Sequence, residues 1–426
     1  MTIIFLTMSR LTEIHSAGIY SDLMRRLRDE GHKVYIVSPR ERKFHVATGL
    51  TEVDGVQILG VRTLNVQKCS VIEKGLGQLL IEPLYKRAIR RYLRGVKFDL
   101  ITYSTPPITF PKVVAYLRRK NPEAMTYLQL KDIFPQNAVD LGMMIDRLAV
   151  SGERLAALNP VRWVKYLLYR SFRRKEKRMY ALSDYIGCMS PANVRYVLEH
   201  NPEVAARHAV KPVVEICPNS YEAVGGERLA VSGERMAIRE KYGLPVDRPI
   251  FIYGGNMGRP QGIPFLLECL KANASREDCH FVVVGDGTEF PKLKAWYDEA
   301  QPRSVSLFKR IPQEDYEALA DSCDVGLIFL DWRFTIPNYP SRLLPYLMTR
   351  KPILACTDPN CDTGSLAEAN GYGLWAPSNS VEAFTAAVDK LLASDLPAMG
   401  EKGYRFFLEN YTVEKTYEAI VGHLNC

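Results

Sequence analysis

Ile250-Phe-Ile-Tyr253-Gly-Gly-Asn-Met-Gly258-Arg-Pro-Gln-Gly262, followed by the helix-forming Pro264–Leu270, is the stretch on which the fold turns. An apolar, β-branched and aromatic run ends abruptly in a glycine-rich loop, and the loop feeds a helix. Strand, glycine loop and helix in that order form the repeating piece of a parallel α/β sheet. Glycines let the backbone come close to a ligand, and the helix that follows offers free N–H groups to an anion. Arg259 adds a charge-assisted contact suited to phosphate. The spacing is not GxGxxG, so a dinucleotide is not indicated. Taken alone, the loop also reads as a glycine turn with no ligand.

The same alternation runs outward in both directions. Short apolar runs at Ile3–Met8, Lys33–Val37, Gln57–Val61, Leu100–Tyr103, Met125–Leu130 and Tyr185–Met189 precede the stretch. Runs at His280–Val284, Val305–Phe308, Val325–Phe329, Pro352–Cys356 and Gly373–Trp375 follow it. Amphipathic segments lie between them, such as Ile19–Glu30 with Ile19, Leu23 and Leu27 at four-residue spacing. This predicts two α/β domains with parallel sheets, residues 1–218 and 219–402, facing each other across a cleft. Tyr221–Glu234 reads as the linker, and residues 403–426 as a C-terminal helix packing back on the first domain.

Length and charge agree with two domains. The chain has 426 residues and a net charge of +8, enough for two separate cores. Residues 1–220 carry 35 basic and 20 acidic side chains, and the rest carry 21 and 28. A basic half joined to an acidic half points to different partners for the two. Nine cysteines are scattered without CxxC or Cys/His spacing, so no metal is predicted and reduced, buried thiols are expected. The apolar N-terminal run is too short for a signal peptide and no window suits a transmembrane helix, so a cytoplasmic protein is expected.

In open parallel sheets, ligands bind beyond the carboxyl ends of the strands. The loops there supply the remaining candidates: Asn256, Gly258 and Gln261; Gly285 and Gly287 after His280–Val284; and Arg310 after Val305–Phe308. Ser341, after Pro340, reads as an N-cap that leaves Arg342 facing the cleft. Asp362-Thr363-Gly364-Ser365 opens a further helix. Together these loops describe a pyrophosphate site held by protein groups, with no cofactor.

In this order the motifs are similar to a known family. Tyr253–Gly262, Phe281–Gly287, Phe308–Pro312, Pro340-Ser-Arg-Leu-Leu-Pro-Tyr346, Pro352–Ala355 and Gly371–Gly373 resemble the GT-B glycosyltransferases of the large retaining family that uses nucleotide-sugar donors. The similarity is to its O-antigen, capsule and exopolysaccharide branch. His15-Ser-Ala-Gly18, Gly31-His-Lys-Val34, Ser104-Thr-Pro-Pro107 and Lys131-Asp132-Ile-Phe-Pro135 resemble the family's first-domain signatures. Gln261 stands where the wider family more often has Lys. Carboxylates of the family's EX7E-type motif would fall at Pro337 and Pro345, and both are absent. Met348-Thr-Arg-Lys-Pro352 also loses the glycine that ends the helix.

The resemblance implies sugar transfer with retention, in which the protein positions its substrates and neutralises the departing pyrophosphate. Arg259 is the first candidate for that charge, with Arg342 and Arg310 behind it. Gly18 would approach the donor, and Asp132 would meet the acceptor as a base. His15 is a further catalytic candidate, although a surface histidine at a helix entry is the plainer reading. The implied acceptor is a polyprenyl-diphosphate-linked saccharide, reached in company with other polysaccharide-assembly enzymes. Tyr85–Arg94 and Arg162–Arg178 mix cations with aromatics at helical spacing, suiting either an anionic inner-leaflet membrane surface or a core face. The basic half contains no recognised nucleic-acid module. The alternative function is a catalytically silent GT-B-like subunit that anchors or activates a partner glycosyltransferase.

Overall fold

Runs of Ile, Val and Phe that are buried on both faces force strands into the middle of a layered structure, and this chain does so twice. The computed structural model describes residues 1–65, 71–106, 108–148, 159–223 and 232–424. Met1–Glu222 with Thr412–Cys426 forms one unit, and Ala223–Tyr411 forms the other.

The first unit contains β1 (Thr2–Leu6), β2 (Lys33–Glu41), β3 (Gly49–Val53), β4 (Val56–Thr63), β5 (Leu100–Thr105), β6 (Met125–Leu130), β7 (Tyr185–Cys188) and β8 (Val214–Ile216). Their order is β3-β4-β2-β1-β5-β6-β7-β8, parallel except for β3 against β4. That hairpin turns at Asp54 and Gly55, both at positive φ, the geometry that an Asp-Gly turn favours. One sheet face is covered by helix Ser21–Asp29, through Leu23, Met24 and Leu27, and by the C-terminal helix Val413–Val421. The other is covered by helices Val71–Tyr92, Pro111–Lys120 and Pro160–Leu182.

The second unit contains β9 (Ile250–Asn256), β10 (His280–Asp286), β11 (Val305–Lys309), β12 (Val325–Phe329), β13 (Ile353–Thr357) and β14 (Gly373–Pro377), all parallel, in the order β11-β10-β9-β12-β13-β14. Phe329 is fully buried against Tyr253, Phe265 and Phe384. Burial of a side chain of that size contributes about 2–3 kcal/mol.

The domain limits differ from those expected. The first passage between units lies at Glu222/Ala223, and residues 224–231 of the expected linker lie outside the described residues. Helix Ser232–Lys241 takes the linker's last residues. The chain returns to the first unit at Thr412 rather than 403, because Leu396–Asn410 is a single helix whose Gly403 and Phe407 are buried in the second unit. Thr412 then bridges to Tyr221. Strands β3 and β8 were not among the expected runs.

Seven cysteines are free and buried; Cys69 and Cys426 lie outside the described residues, as does Pro107. Among the described residues, no helix is long and apolar enough to cross a membrane, and no cluster of His, Cys, Asp and Glu is arranged for a metal.

Candidate functional site

In the second unit the strand order reverses between β9 and β12, which opens a crevice at their carboxyl ends. β9 pairs with β10 from Ile250↔His280 to Asn256↔Asp286. It pairs with β12 only at Phe251↔Val325 and Ile252↔Gly326. Beyond that point the two strands part, and Tyr346 fills the gap. Its hydroxyl donates to the Ile252 carbonyl at 3.0 Å, and its ring occupies the place a Cβ on Gly326 would need.

One turn earlier on the same segment, the Arg342 guanidinium lies 4.4 Å above the centre of the Tyr253 ring. Gly254 leaves room for the Tyr316 hydroxyl, which would stand 1.9 Å from a Cβ there. Arg342 Nη1 is buried without a hydrogen-bond partner, and no carboxylate pairs with Arg342 among the described residues. An arginine stays charged. Placing that charge at a switch point without a counter-ion prepares the crevice for an anionic ligand.

Arg259 lies beside this crevice, exposed on the short turn Arg259–Gln261. The turn is anchored because Asp331 N–H, just beyond β12, donates to the Pro260 carbonyl. Gln261 Oε1 accepts from Gly258 N–H and Asn256 Nδ2, each at 3.2 Å. Gln261 therefore braces the loop from within. Gly285 and Gly287 are needed for packing: a Cβ on either would strike the backbone of Gly255 or Met257. Gly364 likewise makes room for the Trp375 ring.

Two expectations fail here. Ser341 is exposed and does not cap the helix; Arg342 is the N-cap of Leu343–Met348, without a side-chain cap bond. Arg310 stands past β11 at the sheet edge, with β10 between that strand and β9, so it is not gathered with Arg342. Ser365 is exposed at the start of Thr363–Ala369, its hydroxyl donating to the Asp362 carbonyl.

The departures have local causes. Pro345 is exposed in the first turn of Leu343–Met348, where a backbone N–H has no intrahelical partner to lose. Pro337 is buried in the loop after β12. At the lost glycine, Arg350 itself takes the left-handed conformation, with φ 51°. It is held there by Glu401 at 2.7 Å and by stacking over Tyr404 at 4.3 Å.

Asp358, just past β13, is not among the candidates drawn from the sequence. It is buried, with Oδ1 accepting from Asn360 and Cys361 N–H and Oδ2 unpartnered. Burial pushes its carboxyl up to about 6. The Thr-Asp-Pro turn after the strand was the available signal.

In the first unit, the loop after β1 borders a groove of about 270 Å³ lined by residues from Arg10 to Ser21. Gly18 N–H donates to Asp22 Oδ1 at 2.8 Å, so a buried carboxylate already occupies that donor. Asp22 also accepts from Glu222 N–H and pairs with Arg25. His15 is largely exposed, with Nε2 2.7 Å from Asp54 Oδ2 on the β3–β4 turn. Asp132 is half-buried, and both its oxygens accept from Asn137 Nδ2 at 3.0 and 2.9 Å. Burial pushes its carboxyl up to about 6, against the opposing effect of the Asn137 bonds.

The chain covers 100% of itself and 98% of sucrose-phosphate synthase from Thermosynechococcus elongatus at TM-score 0.67 and 16% identity. It matches HepE of Anabaena, solved in complex with UDP, at TM-score 0.61 and 13% identity over 100% of both chains. It matches WaaG, a glycosyltransferase involved in lipopolysaccharide biosynthesis, at TM-score 0.62 and 14% identity over 99% of this chain and 100% of that one. The fold is GT-B. Within this GT-B chain, residues 234–406 match the family Glycosyl transferases group 1. That segment runs from helix Ser232–Lys241 into helix Leu396–Asn410 and contains the whole crevice. A stretch of 61 residues is 39% identical to alpha-D-kanosaminyltransferase of Streptomyces kanamyceticus, spanning 14% of this chain and 16% of that relative. Family match and GT-B fold together support glycosyl transfer.

Proposed function

We propose that the chain is a retaining glycosyltransferase that moves a sugar from a nucleotide diphosphate to a polyprenyl-diphosphate-linked saccharide in bacterial surface-polysaccharide assembly. The observation that carries the reading is Arg342, a half-buried guanidinium that has no counter-ion among the described residues, at the β9/β12 switch point. A diphosphate is the complementary ligand, and the similarity to HepE, solved in complex with UDP, supports a nucleoside diphosphate. As the bond from the anomeric carbon to the diphosphate oxygen breaks, negative charge grows on the leaving group. Arg342, with Arg259 from the neighbouring turn, stabilises that charge without having to reorganise. Asp132 is the acceptor-side base, Gly18 belongs to the donor-facing loop, and neither a metal nor a cofactor is assigned. The basic first unit meets the anionic inner-leaflet surface, where other enzymes of the same assembly work.

A screen of the purified protein against nucleotide sugars, scored by release of nucleoside diphosphate with a polyprenyl-linked acceptor present, tests the reading. Release that requires the acceptor supports it. Tight diphosphate binding with no release from any donor favours the silent subunit that anchors or activates a partner transferase, the reading to which Pro337 and Pro345 point.

A further inference from the structure

We propose that the N-terminal third of helix Pro160–Leu182 is a docking element for an anionic phospholipid bilayer, and that it turns the ligand edge of the first sheet toward the membrane. This names the surface through which the lipid-linked acceptor of the previous section would be met, and it rests on that reading only for its purpose.

The argument starts from length. Each of helices Val71–Tyr92 and Pro160–Leu182 connects two parallel strands of the same sheet, β4 to β5 and β6 to β7. A crossover helix runs against its strands and so begins at their carboxyl edge. The helix from Pro160 has 23 residues, roughly 34 Å at 1.5 Å per residue. β6 has 6 residues and spans about 20 Å. The helix therefore overhangs the sheet, and among the described residues its first turns leave an outer face exposed. Asn159 caps it, accepting from Val161 N–H, so the overhang is a built helix start.

That overhang is apolar on its outer face. Val161, Val164 and Leu168 lie at helical spacing beside Trp163 and Leu167, and all are exposed, Leu167 by 57%. Farther along, the same face continues as Arg170, Arg174 and Arg178. The inner face is already occupied: Phe172 packs edge-on to Phe134 at 4.9 Å, Met179 and Tyr180 are buried, and Lys165 donates to the Gly142 carbonyl. The helix's single acid, Glu176, is buried there with Arg173. Helix Val71–Tyr92, on the same sheet face, exposes Leu76, Leu79 and Leu80 near its own start. An apolar tip with a basic collar behind it complements acyl chains below anionic headgroups, and such helices bury their apolar face about 5–10 Å deep. The Tyr85–Arg94 segment is not part of this surface, because Tyr85, Ala88 and Ile89 are core residues.

The test is flotation of the full chain with phosphatidylcholine vesicles, with and without phosphatidylglycerol. Binding should require phosphatidylglycerol. The variant R170Q/R174Q/R178Q should weaken it by roughly 100-fold, and L167E/L168E by at least about tenfold. Both variants alter exposed side chains, so their circular dichroism and their thermal shift with uridine diphosphate should match wild type. Binding that ignores phosphatidylglycerol and both variants would overturn the proposal. So would a dimer that L167E/L168E dissociates while no vesicle is bound. Docking without transfer to any lipid-linked acceptor would instead overturn the acceptor assignment and leave the docking surface standing.

Discussion

Replacing Arg342 with Met removes the charge and keeps most of the side chain's reach. In the free protein the guanidinium has a ring beneath it and, among the described residues, no carboxylate to abandon. The stability loss is therefore limited to the cation–π contact, about 1 kcal/mol, and is partly offset because no charge need then be desolvated. With a diphosphate bound, the same change removes charge-assisted bonds worth about 3 kcal/mol, a factor of roughly 100 in affinity. Thermal unfolding with uridine diphosphate separates the two effects. At a ligand concentration 100 times its dissociation constant, wild type should gain about 2.7 kcal/mol. At that same concentration R342M should gain about 0.4 kcal/mol, since the ratio of ligand to dissociation constant falls to about one. Calorimetric titration gives the constants directly. A full ligand-induced shift in R342M would refute the assignment of Arg342 as the anion-binding group, whatever the variant's basal melting temperature.

Other consequences can be checked in the same preparation. Arg350→Gly should be nearly neutral in thermal unfolding, because relief of the left-handed backbone offsets loss of the Glu401 and Tyr404 contacts; Arg350→Ala should be the less stable by about 1 kcal/mol. Asp132 has its carboxyl raised to about 6 against about 4 unfolded, so its contribution favours the fold below pH 4 and is lost as pH rises through 6. Asp132→Asn should therefore raise stability at pH 7 by about 2 kcal/mol and leave pH 4 nearly unchanged. If Asp132 is the acceptor base, wild-type transfer should also fall as pH drops below about 6. His15→Ala should leave turnover within about twofold, and stability within about 0.5 kcal/mol, since it removes one exposed pair. A turnover loss of several orders of magnitude would instead assign His15 a catalytic role.

Much of the fold was legible because buried parallel strands announce themselves. Val325–Phe329 and Met125–Leu130 were read to the residue, since every side chain in such a run is apolar or enclosed. Strand β3 escaped because Gly49-Leu-Thr-Glu-Val53 is half-exposed and lacks an apolar run, although Asp54-Gly55 marked its hairpin. The glycines at 285, 287 and 364 read in the sequence as ligand contacts, and their neighbours show that packing alone already requires them. That distinction depends on residues brought close from elsewhere in the chain, which local spacing does not encode. Arg342 is legible in the sequence, but local spacing places it behind Arg259. What separates them is Tyr253 beneath one guanidinium and open solvent around the other, a long-range fact. The role of Tyr346 likewise depends on the parting of β9 and β12, which opens the gap it fills.

The return of the chain at Thr412 also sets an order of events during synthesis. Val413, Ile420 and Val421 complete the apolar layer over Ile3, Phe5, Leu23 and Met24. The first of the two units to leave the ribosome is thus the last to be finished, and it waits with one sheet face partly bare while residues 223–411, a contiguous compact unit, emerge. Truncation just before Thr412 would leave the second unit intact and expose that face. The nascent first unit is therefore the stage at which a chaperone has something to hold.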